Sequence, residues 1–240
     1  MISILIICLN EEELIGQCLD YATSGIADEV VVVDGGSTDK TIKYIRERAK
    51  TSSIPIRLAI NPMPSSFADQ RNFAKELCKG DWILQLDADE KFTPSLARDI
   101  KDLTRTEAPW MGYSFPTYIL VKDEQHFSNI DVDPHICLFR NIPELKYHRE
   151  VHEYLKYKDM ILRPHPDNMD DFTRSMIYYT PSIRRLHYYR LLSQKGKENK
   201  WERYERFAKA SAEAGLPISR ELFVTPYGGE IYEIPKEMLE

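Results

Sequence analysis

Short apolar runs alternate with amphipathic stretches through the first half of the chain. The apolar runs predict buried strands, which we place at residues 3–8, 29–34, 55–60 and 81–86. The amphipathic stretches predict helices, which we place at residues 10–23, 37–50, 67–78 and 94–104. Repeated strand–helix units are typical of a parallel sheet with helices on both faces. The pattern therefore predicts an α/β fold.

The starts of the first two helices carry residues that favour helix N-termini. Asn10 is expected to open the first helix, and the carboxylates of residues 11–13 would interact favourably with its dipole. Ser37 or Thr38 is expected to cap the second helix. Asp39 is a further candidate for a capping role there.

The second half of the chain is less regular. It predicts strands at residues 112–121 and 136–140, a loop at 126–134 and a largely helical segment at 182–214. A weak boundary near Pro109 divides one domain into a regular half, residues 1–109, and an irregular half, residues 110–240.

The composition is that of an ordinary soluble domain: 240 residues, of which 42% are hydrophobic and 29% charged. The net charge of −6 argues against non-specific binding to nucleic acid. No apolar stretch reaches the length of a membrane span, and the first apolar run lacks the basic flank of a signal peptide. The four cysteines form no C-x-x-C pair, which predicts a reduced, cytoplasmic protein without disulfides.

Acidic and amide side chains follow three of the predicted strands. Asn10 follows the first, Asp34 ends the second, and Asp87 and Asp89 follow the fourth. Carboxyl ends of parallel strands meet at one edge of a sheet, where ligands of such folds bind. Asp87 and Asp89 alternate, so their carboxylates point the same way and could share a divalent cation, although an acidic turn has the same sequence.

Three common ligand-binding motifs are absent from the sequence. It contains no P-loop, no G-x-G-x-x-G fingerprint and no G-x-S-x-G elbow. Asp34 could still accept hydrogen bonds from a base or a ribose, or it could only end its strand.

Four segments together resemble family 2 glycosyltransferases of the GT-A fold, and the bacterial lipopolysaccharide-core glucosyltransferase branch in particular. They are ILIICLNEE at residues 4–12, VVVDGGSTDKT at 31–41, QRNFA at 70–74 and GDWILQLDADE at 80–90. The resemblance covers roughly residues 1–95. It implies a Rossmann-like, mostly parallel sheet flanked by helices, with an irregular acceptor-side region and a C-terminal helical segment.

The resemblance also implies donor-binding roles. Residues expected to contact a UDP-sugar are Leu9, Asn10, Glu12, Asp34, Arg71, Asp87, Ala88, Asp89 and Arg184. Within this set Asp34 would bond the uracil, and Arg71 would face the diphosphate or orient the D-x-D loop. Leu9 stands where many members carry an aromatic residue. Asp87 and Asp89 would hold Mg²⁺ or Mn²⁺ on the diphosphate, with His187 as a further metal ligand.

A catalytic base is expected in the second half of the chain, because inverting transfer needs a carboxylate that takes the proton of the acceptor. Glu153 is the first candidate and Glu150 the second, although the segment also reads as a charged surface turn. Lys156 occupies the position of the second histidine of H-E-x-x-H, which excludes a zinc protease. His187 and Arg184 could equally belong to an aromatic, basic helix face.

The function expected from this resemblance is metal-dependent, inverting transfer of a sugar, with glucose the first candidate, from a UDP-sugar to a hydroxyl acceptor. A lipopolysaccharide or surface-glycan precursor is the expected acceptor, reached at the inner face of the membrane by peripheral contact. The same donor chemistry on a peptide or a modified nucleic-acid base stays open. A phosphatase of the haloacid-dehalogenase type is disfavoured by Lys91, which stands where Thr or Val is normal. A catalytically inactive sugar-nucleotide-binding protein is the third alternative.

Overall fold

The structure of the protein is a computed structural model. It describes residues 1–62, 66–105, 107, 109–121, 123–150, 152–162, 164, 169–188, 191–193, 195–198, 202, 205, 209 and 232–233. The strands are β1 (Ile2–Cys8), β2 (Glu29–Asp34), β3 (Ile56–Ile60), β4 (Trp82–Gln85), β5 (Glu90–Phe92), β6 (Gly112–Leu120), β7 (His126–Arg140), β8 (Leu145–His148), β9 (Tyr154–Tyr157), β10 (Met160–Ile161), β11 (Ile177–Tyr179), β12 (Arg185–His187) and β13 (Tyr232–Glu233). The helices with defined bounds are α1 (Ile15–Ala22), α2 (Thr41–Thr51), α3 (Phe67–Leu77), α4 (Pro94–Leu103) and α5 (Asp171–Met176).

Ten of these strands form one main sheet. Its order is β3–β2–β1–β4–β7–β6–β12–β5, with β11 also paired to β6 and β13 to β7. The first four strands are parallel, whereas β7 is antiparallel to both β4 and β6. β12 is parallel to β6 and antiparallel to β5. The four strands expected in the first half are thus confirmed as a parallel block, and the second half extends the same sheet in mixed orientation.

Every residue of β1 and β2 is buried. Both strands are apolar because other elements cover both faces of the sheet at this point. Side chains alternate along a strand, so Ile4 and Ile6 pack on the side of α1 and α4. Leu5 and Ile7 pack on the opposite side, with α3 and a small sheet of β8, β9 and β10.

The first two helices begin later than expected. α1 starts at Ile15, not at Asn10, and its first turn holds no acidic residue. Asn10 instead has a left-handed backbone, with φ of 54°, which a helical residue does not adopt. α2 starts at Thr41, and the Asp39 carboxylate accepts the Thr41 backbone N–H at 2.9 Å. Ser37 and Thr38 therefore do not cap α2; their hydrogen bonds go to the loops between strands.

The loop expected at residues 126–134 is wrong, because this segment is the first part of β7. β7 forms a long antiparallel hairpin with β6, and the register shifts three times along it. Such bulges let a strand continue past residues that break a regular ladder, Pro134 and Pro116 among them.

The prediction of a helix over residues 182–214 is wrong for the start of this segment. Residues 185–187 form β12, which lies between β6 and β5 and completes backbone ladders with both. Residues 182–184, 188 and 191–193 are described as well and are not part of an α-helix. Residues 195–198, 202, 205 and 209 are helical, and the other positions from 189 to 214 lie outside the described residues. Pairing partners distant in sequence thus override the local preference.

The small sheet covers the α3 side of the main sheet. Its order is β10–β9–β8, all antiparallel, and it contributes Leu145, Tyr147 and Leu155 to the buried core. No helix among the described residues has both the length and the apolar character that crossing a bilayer requires.

Replacing Gly80 by alanine is expected to destabilise the fold. Gly80 is buried where the chain enters β4, and a Cβ there would lie 2.6 Å from the Ser3 backbone nitrogen and 2.8 Å from the Trp82 carbonyl oxygen. Backbone atoms cannot yield cheaply, so we expect the free energy of unfolding to fall by about 1–3 kcal/mol in urea titrations.

Gly16→Ala is the matched control for Gly80→Ala. A Cβ at Gly16 in α1 meets open space, so stability should stay unchanged or rise by up to about 1 kcal/mol. Equal unfolding midpoints for the two variants would contradict the packing argument.

Candidate active site

The loops after β1, β2 and β4 meet at the carboxyl edge of the parallel block. The Gly35 N–H donates to the Cys8 carbonyl at 2.8 Å, and the Leu86 N–H donates to the Leu5 carbonyl at 3.0 Å. The parallel strands thus place the segments that carry Asn10, Asp34 and Asp87 at one edge, as the sequence predicted.

Asp34 organises the loop after β2. Its Oδ1 accepts the backbone N–H groups of Gly36 and Ser37 at 2.8 and 2.7 Å, and its Oδ2 accepts the Ser37 hydroxyl at 2.5 Å. The side chain is fully buried. The expected contact with a base stays a prediction, and it requires Ser37 to give up its bond to Asp34.

Asn10 joins the loop after β1 to the same turn. Its N–H donates to the Ser37 hydroxyl at 2.8 Å, and its side-chain oxygen accepts the Thr38 N–H at 2.9 Å. The left-handed backbone of Asn10 makes both bonds possible at once. Its neighbour Leu9 is half-buried. This pair of loops forms one fixed unit beside the strand ends.

Glu12 lies at the outer side of these loops. Its carboxylate accepts the Lys40 N–H at 3.3 Å and is 3.8 Å from the Lys195 ammonium. The following residue, Glu13, accepts the N–H and the hydroxyl of Ser193 at 3.0 and 2.5 Å. A segment near residue 195 therefore packs against the first loop, a contact that the sequence did not indicate.

Arg71 is the centre of the site. Its two terminal nitrogens donate to the two Asp87 oxygens at 2.7 and 2.9 Å, and its Nε donates to Glu153 Oε1 at 2.5 Å. Only 5% of the Arg71 side chain is exposed, against 30% for Asp87 and 13% for Glu153. The guanidinium also lies over the Tyr147 ring, 5.9 Å from its centroid. Arg71 thus joins the D-x-D loop to the expected base.

The charges of this cluster shift the pKa values of Asp87 and Arg71. Burial by itself would raise the pKa of Asp87, but the charge and hydrogen bonds of Arg71 outweigh it and lower that pKa. Burial acts to lower the pKa of Arg71, and Asp87 and Glu153 together raise it well above its usual value. The Arg71–Asp87 pair therefore stays ionised at neutral pH.

Helix α3 fixes Arg71 through the residues on either side of it. Gln70 accepts a hydrogen bond from the Asn61 side-chain amide at 2.7 Å and donates one to the Asn61 backbone carbonyl at 3.0 Å. Asn72 donates to the Tyr147 carbonyl at 2.8 Å and accepts the Tyr147 N–H at 2.9 Å. Ser66 caps the helix by accepting the Asp69 N–H. The QRN segment thus bonds α3 to three different parts of the structure.

Asp89 pairs with His187, as expected for two ligands of one metal. His187 Nε2 lies 3.0 Å from Asp89 Oδ2, and the Tyr188 N–H donates to the Asp89 carbonyl at 2.8 Å. Burial lowers the pKa of His187, but Asp89 outweighs this effect and raises it. Strand β12 makes the pairing possible, since His187 stands opposite Glu90 in the β5 ladder.

Asp89 and His187 suit a metal such as Mn²⁺, which accepts carboxylate oxygen and imidazole nitrogen. Asp87 does not join them, because both of its oxygens are bonded to Arg71. Within the described ranges, no group of three His, Cys, Asp or Glu side chains could hold a metal ion. The metal site that the sequence predicts at Asp87, Asp89 and His187 stays a prediction.

Glu90 and Arg185 form a second buried ion pair that the sequence analysis did not assign. Arg185 lies 3.4 Å from Glu90 Oε1 and donates to the Thr117 hydroxyl at 2.8 Å. The other Glu90 oxygen accepts the Asp87 N–H at 3.3 Å. Burial raises the pKa of Glu90. This pair supports the D-x-D loop through the bond that Glu90 accepts from the Asp87 N–H. In the sequence, the acidic DADE segment that contains Glu90 was the one indication of the pair.

Three expected site residues make their observed contacts outside the cluster of Arg71, Asp87 and Glu153. Arg184 places its guanidinium over the Tyr118 ring, 5.5 Å from the centroid, and shares none of the bonds of Asp87 or Asp89. Ala88 is buried in the core, so only its backbone could meet a ligand. Glu150 contributes its carbonyl, which accepts the Phe67 N–H at 2.8 Å. Glu153, not Glu150, is thus the carboxylate bonded to Arg71.

Glu153 borders a cavity of about 600 Å³ between the main sheet and the small sheet. The side chains of His135, Tyr147 and Leu155 are among its walls. Burial, with Arg185 second, holds the pKa of His135 well below its usual value, so the imidazole is neutral. The cavity gives a second ligand direct access to Glu153.

Two curated relatives each match about half of the chain. An uncharacterised glycosyltransferase of Rickettsia bellii is 33% identical over 125 residues, which are 51% of this chain and 40% of the relative. The lipopolysaccharide core biosynthesis glycosyltransferase LpsC of Rhizobium meliloti is 33% identical over 112 residues, 47% of this chain and 40% of the relative. The chain thus spans about two-fifths of the length of these relatives.

A solved structure matches nearly the whole chain. It is glucosyl-3-phosphoglycerate synthase from Mycobacterium tuberculosis in complex with Mn²⁺, UDP and glucosyl-3-phosphoglycerate. The TM-score is 0.51 at 16% identity, over 91% of this chain and 81% of that one. At this identity the likeness concerns the fold, and it confirms the expected α/β GT-A architecture.

The family model described as glycosyl transferase family 2 covers residues 3–155, which include β1, the D-x-D loop and Glu153. This range is more than half of the chain, and it ends just beyond the carboxylate that Arg71 holds. The chain belongs to glycosyl transferase family 2.

Proposed function

We propose that this chain catalyses inverting transfer of a sugar from a UDP-sugar to a hydroxyl acceptor. The observation that supports this most is the bridge from Asp87 through Arg71 to Glu153, because Glu153 then borders the cavity beside the D-x-D loop. Donor and acceptor sites would therefore adjoin, with one carboxylate between them. Family membership and the UDP bound in the mycobacterial structure support the choice of donor.

Glu153 is proposed to act as the base. Its Oε1 is bonded to Arg71, so Oε2 is the atom that we assign to the acceptor proton. As the acceptor oxygen bonds to the anomeric carbon, the bond from that carbon to the diphosphate breaks and UDP leaves. Arg71 positions Glu153 for this step through the hydrogen bond from its Nε.

Mn²⁺ or Mg²⁺ is proposed to be held by Asp89 and His187, with diphosphate oxygens completing its shell. The ion would neutralise charge on the departing diphosphate. Asp87, held by Arg71, would meet the ribose or a metal-bound water. Asn10, Glu12 and Asp34 would form the uridine side of the pocket.

A surface-glycan precursor is the proposed acceptor, and glucose the proposed sugar. The support for the acceptor is the relative LpsC, whose name places it in lipopolysaccharide core biosynthesis. Such an acceptor would be met at the cytoplasmic face of the membrane.

The two alternative functions have less support. A phosphatase of the haloacid-dehalogenase type needs its first aspartate as a nucleophile, but both Asp87 oxygens accept hydrogen bonds from Arg71. A catalytically inactive binding protein would not need Glu153 oriented by Arg71 beside a cavity.

Asp89→Asn is expected to abolish the metal dependence of UDP binding. In calorimetry, Mn²⁺ should increase the affinity of the wild-type protein for UDP. In the variant this increase should be smaller by a factor of roughly ten or more, because an amide carries no charge for the metal. Asp102→Asn, at a side chain that is 69% exposed, is the control and should behave as wild type. Equal UDP affinity with and without Mn²⁺ in the wild-type protein would overturn the metal assignment.

Glu153→Gln is expected to lower kcat by about 10²–10⁴-fold, the usual contribution of a general base, while UDP affinity in calorimetry stays near the wild-type value. Glu144→Gln, exposed ahead of β8, is the matched control and should keep its turnover. Glu150→Gln decides between the two candidates. Loss of turnover in Glu150→Gln with normal turnover in Glu153→Gln would reverse the assignment.

A further inference from the structure

The cavity beside Glu153 combines an apolar interior with a charged rim. Ile136, Leu155 and Leu162 line it and belong to the buried core. Arg149 lines it as well and is exposed. A volume of about 600 Å³ lies within the range of pockets that hold small-molecule ligands, so a ring compound fits.

The positive charge of Arg149 has no ion-pair partner among the described residues. Among the described residues that line the cavity, Glu153 is the only carboxylate, and it is bonded to Arg71. Arg149 makes no ion pair with any residue that the structure describes. A guanidinium that lies beside a cavity and has no ion-pair partner among the described residues suits an anionic ligand group.

The backbone holds Arg149 in place at a conformational cost. Arg149 and His152 both have left-handed backbones, with φ of 82° and 55°, in the connection between β8 and β9. Non-glycine residues in this region are uncommon and cluster at ligand-binding sites. The bond from the Phe67 N–H to the Glu150 carbonyl anchors the same connection to the start of α3.

The hairpin that carries Arg149 adds further positive charge. Lys146 of β8 stands directly opposite Lys156 of β9, and like charges in such cross-strand pairs repel. Burial lowers the pKa of the neighbouring His148, and these two lysines lower it further, whereas Asp159 acts in the opposite direction. An anion approaching this hairpin is therefore attracted by more than one cation.

We propose that the acceptor is a sugar or polyol that carries a phosphate or a carboxylate. Arg149 binds this anionic group at the rim of the cavity, while the ring packs on Leu155 and its neighbours and the reacting hydroxyl faces Glu153. This inference rests on the proposed function, because it assigns the cavity to the acceptor.

The test compares three probes with one ring: glucose, glucose 6-phosphate and glucuronate. Each is titrated by ligand-observed NMR into the full chain saturated with UDP and Mn²⁺. The wild-type protein should bind at least one anionic probe about tenfold more tightly than glucose. Preference for the phosphate or for the carboxylate identifies which anion the site takes.

Arg149→Gln should reduce the preference for the anionic probe to less than about twofold, and UDP affinity should not change. Arg98→Gln, on the exposed side of α4, is the matched control and should keep the preference. The inference is overturned if the anionic probes bind no better than glucose or do not bind at all. It is also overturned if the Arg149→Gln variant keeps the preference for the anionic probe. Failure of UDP itself to bind would instead overturn the proposed function, so the two failures are distinguishable.

Discussion

One buried guanidinium, that of Arg71, constrains the rest of the site. It lies between two carboxylates, Asp87 and Glu153, that come from different halves of the chain. Burying three charges is costly unless each is paired, and loss of one partner from such a group typically costs about 3–5 kcal/mol. The D-x-D loop and the β8–β9 connection can therefore approach each other only while Arg71 stands between them. The D-x-D loop and the β8–β9 connection share this one residue.

The contacts around Arg71 explain how its side chain is held in one position. Ser66 caps helix α3 at its N-terminus. Gln70 bonds to Asn61 and Asn72 bonds to Tyr147, and these bonds fix the rotation of the helix about its axis. The Glu90–Arg185 pair supports the other side of the D-x-D loop. Arg71 and Asp87 thus lie between neighbours that are themselves held by hydrogen bonds. Such second contacts orient functional groups as firmly as direct ones.

The sequence predicted what depends on neighbouring residues, and it missed what depends on distant ones. The strands at 3–8 and 29–34 were predictable because both faces are covered, which leaves an unbroken apolar run. Asp87, Asp89 and Arg71 were candidate site residues because motifs carry them, and their roles stay predictions. The Arg71–Glu153 bond joins residues 82 positions apart, and no local pattern records it. The same holds for β12, whose strand conformation depends on β5 and β6 rather than on its own residues.

The insertion of β12 between β6 and β5 also bears on how the protein is made. β5 directly follows the D-x-D loop, yet its ladder partner is about a hundred residues further along the chain. A ribosome releases the chain from its N-terminus, so β1 to β4 can pair while residues 185–187 are still unsynthesised. Asp89 gains His187 only when that late segment emerges and inserts. The parallel block can therefore form during synthesis before Asp89 and His187 are able to meet.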